Sequence, residues 1–378
     1  MVAVVKGLAP YLGAALVAVG LLDIYFTVLF ARSGAGLVSP YLESWTWRTF
    51  RGVGRAVPRF RDKILSHAGP VILVLVALSW AAMLLLGFGL MYWPQVGGNL
   101  RLDGADAARP TLGTALAYSG YCLTSLGTPS TMTPQTPFLH WLSVLEAGCG
   151  FALFTVTLAY FLQVGNAVLR RNHVALKLHH SSQENPDAAE MVARLGAGGD
   201  FSDARTELAT MAEDLLEFFE SHHFYPAINY FRFAEADYDT ARMAVLAMDA
   251  ASLVRTTLDG EACGHLDRSE AVGELWTAGL HFLREMSQTL LPAAFRPPAL
   301  AEPAPQEVTA WRQRYERALL RLEAEGIKVT RDRSKGADEY VRLRRQWDAY
   351  VKALARFVLR EWAEVAPHER PAVPDSGE

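Results

Sequence analysis

The sequence predicts an all-α membrane protein: three transmembrane helices with a short re-entrant helix and loop, followed by a cytosolic α-helical bundle. Three observations carry that reading. Apolar residues crowd into the first 170 positions, where three runs reach the ~20 residues a helix needs to cross the hydrocarbon core. A shorter apolar run and a stretch rich in Gly, Pro, Ser and Thr lie between the second and third of them. From Val174 onward apolar positions recur at helical spacing among charged residues, with no convincing strand-like alternation.

The first span is expected at 8–31, "LAPYLGAALVAVGLLDIYFTVLFA". It is longer than a signal-peptide core of roughly 7–15 residues and lacks a small-x-small cleavage site, so it is read as a span that stays. The second is expected at 70–93 and the third at 138–165. The run at 111–123, "TLGTALAYSGYCL", is too short to cross. Between the first two spans lie Arg32, Arg48, Arg51, Arg55, Arg59, Arg61 and Lys63 against Glu43 and Asp62, whereas Arg101 and Arg109 are balanced by Asp103 and Asp106. Positive charge favours the cytosolic side. The basic linker is therefore placed inside and 94–137 outside, in a multi-pass protein of the cell membrane. The N-terminus is then outside and everything after Arg171 is cytosolic, as Arg170 and Arg171 agree. Tyr92 and Trp93 are expected at the outer interface, Trp45 and Trp47 at the inner one.

A net charge of −4 gives no case for a nucleic-acid partner. Cys122, Cys149 and Cys263 lack metal-ligand spacing, and no nucleophile–base pair stands out. No catalytic residue, cofactor or metal is expected, and enzyme activity has no positive support.

The stretch "TSLGTPST" at 124–131 raises a sharper question. Irregular backbone at membrane depth is tolerated only where protein buries it or where it lines a watery path. It is thus either a plain external turn or part of a pore. The succession "LLDIYFTVLF", "GP", "LTSLG", "PQTP" and "LEAGCGF" resembles the tetrameric potassium channel pore domain, particularly prokaryotic potassium channel family proteins with one additional N-terminal helix. The resemblance covers roughly residues 8–171. It implies a pore helix at 111–123 and a selectivity filter at Thr124, Ser125, Leu126, Gly127, Thr128, Pro129 and Ser130. It also implies a homotetramer in the lipid bilayer passing a monovalent cation, potassium or sodium. The family's filter usually reads Thr-Thr-Val/Leu-Gly-Tyr/Phe-Gly-Asp. Its first half matches here; Thr128, Pro129 and Ser130 depart from the second. Proline fixes φ near −65° and removes an N–H, where a filter needs backbone that presents rings of carbonyls. Weakened or altered potassium selectivity is expected, or a non-conducting membrane sensor that keeps the channel fold.

In the third span Glu146, Gly150, Phe154, Thr157 and Phe161 recur at helical steps and share a face. The resemblance makes that face pore-lining and gating, with Gly150 at a hinge. Close helix packing is the other reading of Gly150, and bracing of the pore helix the other reading of Glu146. Asp23, in the first span, is expected to pair with a neighbouring helix.

The expected organisation is an N-terminal transmembrane helix at 1–34, a basic linker or interfacial helix at 35–68, a pore domain at 69–171 and a cytosolic helical domain at 172–291. A Pro-rich linker at 292–306, C-terminal helices at 307–366 and a frayed tail at 367–378 follow. Cytosolic helices are expected at 203–221, 238–258, 269–291, 307–325 and 338–365. A ligand of this half, not identified by the sequence, is the expected gating partner. His222 and His223 in "FFESHHFYPAINYFRF" are read as packing residues ahead of metal ligands. Arg342, Arg344, Arg345, Lys352, Arg356 and Arg360 are read as a solvated charged face ahead of a lipid-binding one.

Overall fold

The computed structural model describes residues 2–30, 36–103, 111–127, 130–182, 185–298 and 302–369. It is mostly helical, and three helices are long and apolar enough to cross a membrane, at Val4–Leu29, Ala68–Gln95 and Pro137–Ser181. The chain divides into two compact units, Met1–Thr49 with Ala68–Asn166, and Phe50–His67 with Ala167–Glu378. The basic linker is therefore not one segment but is shared between them.

In the first unit α1 (Val2–Ile24) closes on a π-helical turn over Tyr25–Leu29, where Phe30 N donates to Tyr25 O at 2.8 Å. α2 (Ser39–Ala56) begins here, and α3 (Arg61–Ser66) belongs to the second unit. α4 (Ala68–Tyr92) is apolar on all sides and packs along α1. Glycines permit the approach: a β carbon at Gly13 would stand 2.3 Å from the Gly87 carbonyl oxygen. α5 (Leu112–Leu123) is the short helix, and α6 (Pro137–Ser181) runs for 45 residues, about 68 Å at ~1.5 Å per residue.

A small antiparallel pair was not foreseen: β1 (Leu100–Leu102) pairs with β2 (Met132–Pro134), Leu100 opposite Pro134. It matters because Leu100, Leu102 and Met132 join Phe88, Tyr118, Cys122 and Leu139 in one buried cluster around α5. Tyr92 belongs to that cluster as well. It is fully buried, edge-on to Tyr118 at 4.9 Å, rather than an interfacial anchor. Trp47 is likewise buried, whereas Trp45 is exposed.

The second unit is built around α9 (Thr240–Thr257), whose residues from Ala241 to Val254 are all buried. A helix buried on every side must be surrounded. α7 (Ala188–Leu195), α10 (Glu270–Thr289), α11 (Pro305–Ala324), α12 (Arg333–Arg344) and α13 (Asp348–Phe357) all pack on it, and α8 (Ala204–Phe224) packs on α10. Helices on both sides of the Pro-rich segment thus share one core, so 292–306 does not separate two domains. The single helix expected at 338–365 is three: α12, α13 and α14 (Trp362–Val365). α13 stops because Leu359 takes φ 55°, and Arg360 N reaches back to Ala355 O at 2.9 Å, a Schellman closure without glycine. The basic residues of this stretch are divided: Arg342, Arg345 and Arg356 are exposed, as a solvated face requires, and Lys352 is half-buried. Arg344 and Arg360 are 0 % and 5 % exposed.

Candidate functional site

α5 is set by its own ends. Thr111 Oγ1 accepts from Thr114 N at 3.3 Å, an N-cap. At the other end Leu126 N donates to Tyr121 O at 3.2 Å and Ser125 N to Cys122 O at 3.0 Å. That pair is a Schellman motif, with Ser125 in the left-handed position at φ 55° that glycine usually fills. Thr124 Oγ1 caps further, donating to Gly120 O at 2.6 Å. Gly127 is also left-handed, φ 85°. The first half of the expected filter is therefore the C-terminal closure of α5. The side chains of Thr124, Ser125, Leu126 and Ser130 are exposed, Leu126 to 77 %. Thr128 and Pro129 lie outside the described residues.

The left-handed conformation costs a non-glycine residue roughly 1–2 kcal/mol. Ser125→Gly should therefore raise the thermal midpoint of the purified protein, a gain of about 1 kcal/mol. A lower midpoint would mean that the Ser125 side chain makes a stabilising contact outweighing the strain.

The stripe on α6 is divided. Glu146 is fully buried behind α5, where Ser119 Oγ donates to its Oε1 at 2.5 Å. Tyr118 OH and Ser143 Oγ, 2.9 Å apart, make a second link between the same helices. Gly150 faces α5 too: a β carbon there would fall 1.8 Å from the Leu123 carbonyl oxygen. Phe154 is 70 % exposed, and Thr157 and Phe161 are half-buried at the margin. Glu146 and Gly150 are thus brought together with the end of α5, and Phe154 is turned away from it. Glu146 braces rather than lines an open surface of this chain.

Asp23 is fully buried and pairs as expected, but with more groups than the sequence suggested. Trp80 Nε1 on α4 donates to it at 2.7 Å, Val38 N at 2.7 Å, Ser39 Oγ at 2.5 Å and Ser39 N at 3.2 Å. The acid fixes where α2 starts. Glu43, one turn into α2, is buried, and burial with the nearby Asp23 charge pushes its carboxyl up to about 8.

The second unit holds a buried charge network with no local signal in the sequence. Asp249, on the central α9, accepts from Tyr340 OH at 2.5 Å and Arg314 Nη2 at 3.0 Å. Arg314 also binds Asp187, while Arg344 binds Asp348 at 3.1 Å, Tyr340 OH at 3.0 Å and Glu369. Burial alone would raise the Asp249 carboxyl, but Arg314 and Arg344 hold it below the ordinary range. Its partners saturate it, which makes it structural rather than reactive. His222 packs at a tilt against Phe218, ring centres 4.2 Å apart, and burial drives its imidazole down to about 3, so it is neutral. Among the described residues no group of three or more His, Cys, Asp or Glu is placed to hold a metal. A surface pocket of about 480 Å³ is lined by Trp311, Trp362, Arg345, Lys352, Arg356 and Glu302 among others.

No family model and no solved structure matches the chain. It is 24 % identical over 242 residues to the uncharacterized membrane protein YdjJ of Bacillus subtilis, a match covering 63 % of this chain and 67 % of that protein. With its three apolar helices of spanning length, that likeness puts the chain among the membrane proteins.

Proposed function

We propose that the chain is one subunit of a homotetrameric cation channel on the potassium-channel pore plan, with weakened or altered potassium selectivity. One observation carries this reading. A short helix between two spanning-length helices packs on both, and ends in an exposed "TSLG" turn whose return is held by β2. Four such turns around an axis would bring together the C-terminal ends of four helices, where the partial negative charge of the peptide dipoles favours a cation. The topology is N-terminus outside and second unit cytosolic. α2 lies along the inner membrane surface, since Tyr41, Trp45, Arg48 and Arg55 are exposed together at helical spacing. Exposed Phe151, Phe154, Leu158 and Leu162 on α6 meet lipid or a neighbouring subunit. An anionic or aromatic ligand in the 480 Å³ pocket of the second unit would bias the gate.

A second reading, a sensor that keeps the fold without conducting, draws on the same turn. Ser125 and Leu126 already use their N–H groups to close α5, and a proline follows Thr128. Reversal potentials of purified protein in bilayers, under opposed potassium and sodium gradients, test both. The channel reading expects current with a potential nearer zero than potassium equilibrium. Absence of current with potassium, sodium or larger cations would favour the sensor.

A further inference from the structure

Two buried arginines of the second unit line one small cavity. Arg171 on α6 and Arg232 are 3 % and 5 % exposed, and both line a cavity of about 30 Å³ together with Asn229, Phe233 and Asp239. Arg171 uses only Nη1, which donates to Phe231 O at 2.7 Å and Ile228 O at 3.3 Å; its Nε and Nη2 are buried without a partner. Arg232 uses only Nη2, which donates to Asp62 Oδ1 at 2.6 Å; its Nε and Nη1 are likewise unpartnered. Asp62 is shared with Arg61 at 3.5 Å, and Asp239 is taken by the buried Arg360 at 3.3 Å. The carboxylates nearest Arg171 and Arg232 thus already have other work, and Arg360 is further paired with Glu364 at 3.6 Å. The nearby His222 is neutral, and the ring of Phe233, 5.1 Å from the Arg171 guanidinium, brings no formal charge. Buried N–H groups on a cation are costly to leave unmatched, and this site has four nitrogens in that state.

We propose that this cavity binds a small monovalent anion of chloride size, held by the free N–H groups of Arg171 and Arg232. The volume takes a particle about the size of one water. Phosphate esters and nucleotides are therefore too large, and a halide fits both the charge and the space. The site lies within the second unit and stands or falls independently of whether the protein conducts.

The test uses the full chain in detergent, with thermal unfolding followed over sodium chloride, bromide and gluconate at constant ionic strength and pH. Once the halide exceeds its dissociation constant, each tenfold rise should lower the unfolding equilibrium constant about tenfold, and gluconate should do nothing. Arg171→Met, which removes one of the two guanidiniums with free N–H groups, should abolish the halide dependence. Bromide should give anomalous density between Arg171 and Arg232. Identical midpoints in halide and gluconate for the unaltered protein would overturn the proposal and leave the cavity to water. Halide dependence that survives in Arg171→Met would overturn it too, by moving the anion elsewhere.

Discussion

Gly150→Ala is expected to break the docking of α6 on the end of α5. The added β carbon would stand 1.8 Å from the Leu123 carbonyl oxygen and 3.2 Å from its Cα. Both obstacles are backbone, and they belong to the turn of helix that carries Thr124 to Gly127. Overpacking usually costs about 1–3 kcal/mol, occasionally more. The upper end applies here, because the only relief is to move α5 bodily. Thermal midpoint and current should fall together. A hinge acting alone would leave the midpoint unchanged and shift open probability, so recording both separates the roles. A normal midpoint would show that α6 does not pass the end of α5 this closely.

The second large effect is expected at Asp249. Asp249→Ala takes a buried carboxylate from Arg314 and Arg344, which are 1 % and 0 % exposed, and leaves Arg314 with Asp187 and Arg344 with Asp348 and Glu369. Removing one partner of a buried ion pair typically costs about 3–5 kcal/mol. Denaturant unfolding followed by fluorescence should read that loss, since Trp311 and Trp347 lie beside the network. The sign of the pH dependence follows from the same arrangement. The folded carboxyl titrates below its unfolded range, so its stabilisation is complete above the unfolded value, about 3.9, and is lost as pH falls through the folded one. Asp249→Ala should therefore flatten the acid limb of the stability curve. An unchanged limb would mean that other carboxylates, such as Glu369, dominate it.

Hydrophobic length and helical spacing made α8 to α11 readable to within a few residues and placed all three spanning helices, although α6 runs sixteen residues past the expected end at 165, where the chain turns polar but stays helical. What stayed hidden had no local signal. The closures at Ser125 and Leu359 lack glycine, and their left-handed backbone follows from packing rather than residue type. The β1–β2 pair is three residues a side and rests on burial of Leu100, Leu102 and Met132 against α5. Asp249 looks like any acid on a helix until residues as distant as Arg314 and Arg344 converge on it. At the candidate site, the periodicity that placed Glu146, Gly150 and Phe154 on one stripe was sound. It could not tell which edge α5 covers.

The pairing of Asp23 with Trp80 has a consequence for how the protein is made. The two lie 57 residues apart, so at about 5–20 residues per second the first helix is complete roughly 3–11 s before its partner leaves the ribosome. Through that interval the acid has only the Val38 and Ser39 donors within its own stretch of chain. An unmatched carboxylate is poorly tolerated in hydrocarbon. The first helix should therefore linger in the insertion machinery and enter the bilayer together with α4, as a hairpin rather than as successive single segments.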